Sequence, residues 1–224
     1  MEPKKSIAKP LHTYDPEVLS VYLKHHVSGF TGLASLEKFS DGQSNPTYKI
    51  LDTSGASYVL RAKPPGKLLK SAHAVDREFR VMTALAETAV PVPKMLHLSG
   101  DDSPIGAQFF VMGYLSGTVF WDPALPKCSK SFRTLAYSAL VETLAALHEV
   151  DPHRVGLEDF GRPGNYFGRQ VSRWTHQYRA SETQSRPDMD WTIDWLSQNL
   201  VGDDGQMSIV HGDYRLDNVM FDVH

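Results

Sequence analysis

The chain has 224 residues, of which 41% are hydrophobic and 22% charged, a composition typical of a globular protein with one large domain or two small lobes. Its formal net charge of -3 provides no basic field, so we expect no nucleic-acid partner. The lone Cys128 excludes an internal disulfide, and no apolar stretch has the length of a signal peptide or membrane span, so we expect a cytoplasmic protein with no membrane partner.

The first half of the chain predicts two helices and a β-sheet. Asp15 before Pro16 has the form of an N-cap followed by proline at the first helical position, and apolar residues then recur at helical spacing until Gly29. A second helix is predicted over residues 72–87. Five short runs bounded by turn residues predict an antiparallel sheet, with strands at residues 36–39, 48–51, 58–62, 95–98 and 108–112.

The second half changes to helical patterning after a bend at residues 115–117. Helices are predicted over residues 132–150, 168–182 and 190–200. We therefore predict an α+β fold with an N-terminal lobe at residues 1–113, which contains the sheet, and a helical lobe at residues 114–224.

The segment from His211 to Asn218 has the layout of a phosphotransfer loop. Asp213 and Asn218 stand five positions apart behind a His-Gly pair. In kinase-like loops the aspartate orients the attacking hydroxyl and the asparagine holds magnesium against the nucleotide phosphates. We assign these roles to Asp213 and Asn218, and a structural role to His211. A polar turn is the alternative, but apolar runs at residues 207–210 and 219–221 predict strands on both sides of the loop.

With this loop, the stretches at residues 41–48, 63–66, 77–80, 91–93 and 155–159 carry a family resemblance. The chain resembles the aminoglycoside phosphotransferase and choline kinase group, and more specifically the kinase-like domain of acyl-CoA dehydrogenase family members ten and eleven. The resemblance covers about residues 14–221 and implies a bilobal, protein-kinase-like fold, in which the helical lobe of this chain is truncated at its C-terminus.

A kinase needs a cation on its third strand and a carboxylate on the following helix that holds this cation in place. The period of two along the strand puts Arg61 and Lys63 on one face, so that either base could contact phosphate. The resemblance aligns Arg61 with the phosphate-contacting base, and Pro64 indicates that the strand ends by Lys63. We therefore predict that Arg61 and Glu78 form this pair.

Two further segments are candidates for nucleotide binding. A tight turn can bind phosphate oxygens through its backbone amides, although a plain hairpin turn would use the same residue types. The candidate turn residues are Ser40, Asp41, Gly42, Gln43, Ser44 and Asn45. The adenine base is expected against the main chain where the lobes join, at Met112, Gly113 and Leu115.

The resemblance implies an ATP- and magnesium-dependent kinase that phosphorylates a hydroxyl of a small molecule, such as a hydroxyacyl-CoA. It also implies fusion to, or association with, an acyl-CoA dehydrogenase, and a mitochondrial or peroxisomal location in a eukaryotic fusion protein. An aminoglycoside kinase is the alternative enzyme, and a pseudokinase that binds nucleotide without turnover is the alternative outside catalysis.

One part implied by the resemblance is missing from the sequence. Relatives carry a second metal-binding aspartate after the loop, and Asp222 is too close to Asn218 to be assigned that role. We therefore expect these 224 residues alone to be inactive.

Overall fold

The computed structural model describes residues 14–39, 45–64, 74–100, 103–202 and 205–222. Within them the elements are α1 (Pro16–His26), β1 (Leu33–Lys38), β2 (Thr47–Asp52), β3 (Ser57–Ala62), α2 (Val75–Leu85), β4 (Met95–Leu98), β5 (Phe109–Gly113), α3 (Lys130–Glu149), α4 (Tyr166–Ser181) and α5 (Pro187–Gln198). The chain forms two compact units, one of Met1–Ala146 with Gly212–His224 and one of Leu147–His211. The predicted lobe boundary after residue 113 stays a prediction.

The predicted five-stranded antiparallel sheet is confirmed, with the strand order β1-β2-β3-β5-β4. One face of the sheet packs against α1, because alternate strand residues such as Ile50, Leu60 and Val111 meet Leu19 and Leu23 of the helix in one buried cluster. Burying a leucine side chain fully contributes roughly 1.5–3 kcal/mol, so the two buried leucines of α1 hold this helix firmly against the sheet.

The other face of the sheet lies beneath α2. Arg61 is paired directly with Thr47 on β2 and with Phe110 on β5, and directly paired residues of an antiparallel sheet share a face. The Phe110 ring contacts that of Phe79 on α2, with centroids 6.2 Å apart. The period of two therefore places Arg61 on the face that carries α2, away from the α1 core.

The helix boundaries follow local signals. Asp15 caps α1 by accepting a hydrogen bond from the Glu17 amide at 2.8 Å, as its position before Pro16 predicts. Helix α3 begins at Lys130, two residues earlier than predicted, and the Ser129 hydroxyl accepts from the Phe132 amide at 3.1 Å. No helix in the described residues has both the length and the apolar character needed to cross a bilayer.

The prediction of strands at residues 207–210 and 219–221 is wrong. Neither run forms a ladder within the described chain, and Phe221 makes only an isolated bridge with Thr118. Met207 and Val210 are 42% and 56% exposed, and only Ile209 of the described run is buried, so no neighbouring strand covers the run. Leu135 and Val141 on α3 are also largely exposed. Apolar character in this half of the chain therefore predicts burial less well than it does in the sheet.

Asp52 is a buried carboxylate that organises the turn between β2 and β3. Its Oδ1 accepts hydrogen bonds from the Ser54 hydroxyl at 2.6 Å, the Ser54 amide at 2.8 Å and the Ala56 amide at 2.9 Å. Its Oδ2 accepts from the amide and the hydroxyl of Thr31 at 3.2 and 3.1 Å. These bonds, led by that from the Ser54 hydroxyl, lower the pKa of Asp52 to about 2.

The low pKa of Asp52 makes the stability of the fold depend on pH. A depressed carboxyl pKa adds stability that is complete above the unfolded value of about 3.9 and is lost as the pH falls through the folded value. We expect Asp52→Asn to lower the urea midpoint of unfolding at pH 6, and this difference from the wild type to shrink between about pH 4 and pH 2. The exposed Glu142→Gln serves as the control and should change neither value. A pH-independent difference for Asp52→Asn would contradict this account.

Candidate active site

Arg61 and Glu78 form a hydrogen-bonded ion pair between β3 and α2. The Arg61 Nε donates to Glu78 Oε2 at 2.6 Å, and its Nη2 lies 3.4 Å from Oε1. The Nη1 group donates to the Thr47 hydroxyl at 3.0 Å, so the guanidinium is held on two sides. A planar guanidinium held at several nitrogens has a fixed orientation, which an isolated surface arginine lacks.

Asn45 ties the end of the predicted phosphate turn to the same carboxylate. Its Nδ2 donates to Glu78 Oε1 at 2.8 Å, and its side chain is buried, with 4% exposed. The Thr47 hydroxyl donates in turn to the Asn45 carbonyl at 3.0 Å. The other five predicted turn residues, Ser40, Asp41, Gly42, Gln43 and Ser44, lie outside the described residues. The backbone role predicted for Asn45 is therefore accompanied by a side-chain role that the sequence did not indicate.

Lys63, the alternative cation, pairs with a different carboxylate on α2. Its Nζ lies 3.5 Å from Asp76 Oδ1, and its amide donates to the Gln108 carbonyl at 2.9 Å just beyond the end of β3. Both bases thus lie on the α2 side of the sheet, each next to an acid. The assignment of Arg61 as the phosphate-binding base stays a prediction.

The predicted catalytic loop brings Asp213 and Asn218 into direct contact. The Asn218 Nδ2 donates to the Asp213 carboxylate Oδ2 at 2.8 Å and to its carbonyl at 2.9 Å. A 3₁₀ turn over Leu216–Asn218 closes the spacing between them, and Gly212 precedes Asp213 with a φ of +84°, a conformation that favours glycine. Because the amide nitrogen of Asn218 is engaged, its Oδ1 is left to accept a cation.

Two residues between Asp213 and Asn218 anchor the loop. The Leu216 side chain is 3% exposed and packs with Leu125 and with Ala136 of α3. The Tyr214 hydroxyl donates to the Leu140 carbonyl of α3 at 2.7 Å. These contacts fix the loop on α3, so the exposed Asp213 and Asn218 are supported by the buried Leu216 and the partly buried Tyr214. His211 is exposed, and its predicted structural role stays a prediction.

Arg215 and Asp217 form an ion pair inside the loop. The Arg215 Nε donates to Asp217 Oδ1 at 2.7 Å, and its Nη2 contacts Oδ2. The hydrogen bonds from Arg215 lower the pKa of Asp217 below its ordinary value. The Arg215 Nε also lies 3.9 Å from Asp213 Oδ1, so a positive charge stands beside the predicted catalytic carboxylate.

The predicted adenine-binding residues lie at and just beyond the end of β5. Met112 is paired with Val59 and therefore shares the α2 face of the sheet, and the Gly113 amide donates to the Lys94 carbonyl at 2.8 Å. Leu115 is about half exposed. The assignment of these three residues to adenine stays a prediction.

The segment after β5 is joined to the residues that follow the predicted catalytic loop. Thr118 and Phe221 exchange two backbone hydrogen bonds, of 2.8 and 2.9 Å. Gly117 permits this approach, because a Cβ at that position would stand 2.7 Å from the Phe221 carbonyl oxygen and 2.6 Å from Met220 Cγ. A side chain at this position would therefore displace the backbone bridge between Thr118 and Phe221.

We expect Gly117→Ala to lower the free energy of unfolding by roughly 1–3 kcal/mol, the usual effect of overpacking a close contact. Urea denaturation followed by circular dichroism measures this value. Gly161→Ala is a matched control, because a Cβ there would meet no atom within 4 Å. Equal stability of the two variants would show that the segments do not require this close approach.

The donor atoms in the loop suit magnesium better than a transition metal. Within the described residues, no group of three or more His, Cys, Asp or Glu side chains could hold a metal ion. Magnesium instead takes one or two protein oxygen ligands together with substrate phosphates and water. The Oδ1 of Asn218 is an oxygen atom of this kind, and the described contacts of Asn218 include no thiolate or imidazole group. The assignment of Asn218 to magnesium stays a prediction.

Several residues that build this site were not predicted. Thr47 could have been found from the sheet, because the period of two and the strand pairing place it opposite Arg61. Leu216 could have been suspected as an anchor, since it is an apolar residue in a polar loop. The contact between Asn45 and Glu78 joins residues 33 positions apart and has no local signal.

Comparison with known proteins agrees with this geometry. The phosphotransferase enzyme family matches residues 35–224. The crystal structure of a Ralstonia eutropha protein, assigned as an aminoglycoside phosphotransferase, superposes with a TM-score of 0.82 and 50% sequence identity, covering 93% of this chain and 61% of that chain. The macrolide 2'-phosphotransferase MphH of Brachybacterium faecium, 16% identical with a TM-score of 0.59, covers 92% of this chain and 68% of that chain and shares the fold.

The curated relatives are much longer proteins. The mouse acyl-CoA dehydrogenase family member 10 is 46% identical over 206 residues, which are 92% of this chain and 19% of the relative. The human family member 11 is 42% identical over 216 residues, and Arabidopsis thaliana probable acyl-CoA dehydrogenase IBR3 is 45% identical over 224 aligned residues. The matches cover 95% and 94% of this chain but only 28% and 27% of these relatives. The predicted α+β, protein-kinase-like fold is confirmed, and the chain belongs to the phosphotransferase enzyme family.

Proposed function

We propose that the protein is a magnesium-dependent kinase that transfers the γ-phosphoryl group of ATP to a hydroxyl of a small molecule, and that this molecule is a hydroxyacyl-CoA. The observation that carries the proposal is the contact between Asp213 and Asn218, in which a carboxylate and an amide lie side by side on a loop anchored to α3. We assign the carboxylate as the proton acceptor and the amide oxygen as a metal ligand.

In this reaction the acceptor oxygen forms a bond to the γ-phosphorus while the bond from that phosphorus to the β,γ-bridging oxygen breaks. ADP departs with the bonding electron pair, and the hydroxyl proton passes to the Asp213 carboxylate. Phosphoryl transfer needs mainly positioning and electrostatic stabilisation from the protein. Asp213 supplies the positioning, because its carboxylate can accept a hydrogen bond from the hydroxyl before the proton moves.

The remaining residues act on the nucleotide. Arg61, held by Glu78 and Thr47, would contact the phosphates and offset their charge. Magnesium bound through Asn218 and the phosphate oxygens would neutralise the charge of the phosphate chain. The network of Asn45 with Glu78 supports this assignment, because it links the end of the predicted phosphate turn to the same acid that orients Arg61.

The acceptor class is inferred from the longer relatives. Their names describe acyl-CoA dehydrogenase family proteins, in which the segment similar to this chain occupies 19–28% of the length. A kinase segment joined to a dehydrogenase of acyl-CoA thioesters would act on a chemically related substrate. We therefore propose fusion or association with an acyl-CoA dehydrogenase in the natural protein.

The test is phosphate transfer by the purified full-length protein, with ATP and magnesium, across 3-hydroxyacyl-CoA and 4-hydroxyacyl-CoA thioesters and the aminoglycoside kanamycin. ADP release and the mass of the phosphorylated product are both measured. A phosphorylated hydroxyacyl-CoA is the expected result. Transfer to kanamycin alone would make an aminoglycoside, and not a hydroxyacyl-CoA, the acceptor. Nucleotide binding without transfer to any acceptor would identify a non-catalytic module.

A further inference from the structure

Arg215 lies between the two acidic side chains that flank it in the loop. Its Nε is 2.7 Å from Asp217 Oδ1 and 3.9 Å from Asp213 Oδ1. The Asp217 side chain is 16% exposed, whereas that of Arg215 is 62% exposed. The pair therefore has a nearly buried acid and an outward-facing base.

Asp217 holds the guanidinium in one orientation. Two of its nitrogens, Nε and Nη2, contact the two oxygens of the Asp217 carboxylate, which is the bidentate geometry typical of oriented arginines. The third nitrogen, Nη1, makes no hydrogen bond within the part of the chain that the structure describes. A group held on one edge and open to solvent on the other can receive an anion without rearranging.

Phosphoryl transfer places an anion close to this group. If Asp213 accepts the proton of the attacking hydroxyl, the γ-phosphoryl group lies one bond beyond that hydroxyl and within a few ångströms of the Asp213 carboxylate. Two negative groups at such a distance repel each other strongly where water is excluded. A cation beside Asp213 offsets this repulsion, and Arg215 is such a cation.

We propose that Arg215 is a catalytic residue that binds the transferred phosphoryl group, and that Asp217 is the positioning residue that orients it. This inference rests on the proposed function, because it assigns a contact within the same reaction. The new bond from the acceptor oxygen to phosphorus and the broken bond to the bridging oxygen are those given above. Arg215 takes no proton and contributes hydrogen bonds and charge.

The first test measures binding without turnover. The affinity of the full-length protein for ADP with magnesium is compared with its affinity for ADP with magnesium and aluminium fluoride, a mimic of the phosphoryl group in transfer. We expect the wild type to gain affinity with aluminium fluoride. Arg215→Gln should lose most of this gain and leave ADP affinity unchanged. Arg154→Gln, which removes an exposed arginine 3.6 Å from Asp151, is the matched control and should keep the gain.

The second test separates the two residues by turnover. Losing one preorganised donor to the transition state costs on the order of a hundredfold in kcat, and we expect this for Arg215→Gln, with partial recovery in Arg215→Lys. Asp217→Asn alone should lower kcat about tenfold. In the Arg215→Gln background it should lower kcat no further, because Asp217 acts through Arg215.

Three outcomes decide the inference. Equal gains with aluminium fluoride in the wild type and Arg215→Gln, or additive effects of the two changes, would overturn it while leaving the proposed kinase reaction standing. A wild-type protein that neither binds nucleotide nor transfers phosphate would overturn the proposed function and the inference with it. Loss of the gain in Arg215→Gln, together with non-additive effects on turnover, supports it.

Discussion

Asp213→Asn should reduce turnover by on the order of a hundredfold or more while leaving ATP affinity little changed. Asparagine has nearly the same shape, and its side-chain oxygen can still accept the hydrogen bond that Asn218 donates at 2.8 Å. It cannot accept a proton from the acceptor hydroxyl. The loss should therefore appear in kcat, because the removed group acts on the acceptor and not on the nucleotide.

Steady-state kinetics and calorimetric titration with ATP, both on the full-length protein, measure these two effects. Asp194→Asn is a matched control, because it makes the same chemical change at an exposed position on α5. Its kinetics should equal those of the wild type. Near-normal turnover in Asp213→Asn would remove this residue from the mechanism.

The second large effect concerns the choice of phosphate-binding cation. Arg61→Ala and Lys63→Ala each remove a base paired with an acid on α2, so they form a matched pair of variants. A hydrogen bond to a charged group contributes about 1.5–3 kcal/mol, which corresponds to roughly a ten- to hundredfold change in affinity. We expect Arg61→Ala to weaken ATP binding by this factor and Lys63→Ala to have a much smaller effect.

The difference is expected because only Arg61 is held by both Glu78 and Thr47, and a preorganised group loses less entropy when it binds a ligand. Titration with ATP measures both affinities, and thermal unfolding checks that both variants are folded. The reverse ranking would make Lys63 the kinase cation and Arg61 a structural residue.

Much of the sheet region could be predicted because its signals are local. Buried and less buried residues alternate along β2, and Asp15 with Pro16 marks the start of α1. The period of two also predicted that Arg61 and Lys63 share one face of the sheet, and in the structure both contact acids on α2. Burial against α1 then reinforces the local pattern, so sequence and tertiary structure agree.

The rest could not be predicted, because it depends on contacts between distant residues. Apolar runs such as residues 207–210 have the composition of strands, but a strand requires a neighbour to bond with, and composition does not encode that neighbour. The burial of Asp52 could not be predicted either, because its hydrogen bonds from Thr31 join residues 21 positions apart. In the loop, the spacing of Asp213 and Asn218 indicated that the two residues act together, and the structure brings them into contact. The hydrogen bond from Tyr214 to Leu140 spans 74 positions and has no local signal in the sequence.

The sharing of Glu78 between Arg61 and Asn45 makes two features of the site cooperative. A carboxylate has two oxygens, and here Oε2 accepts from the Arg61 Nε while Oε1 accepts from the Asn45 Nδ2. A shift of α2 by about 1 Å would take both contacts beyond hydrogen-bond length at once. The Arg61 guanidinium and the Asn45 side chain therefore gain or lose their alignment together, and the position of a single helix couples two residues that lie 16 positions apart in the sequence.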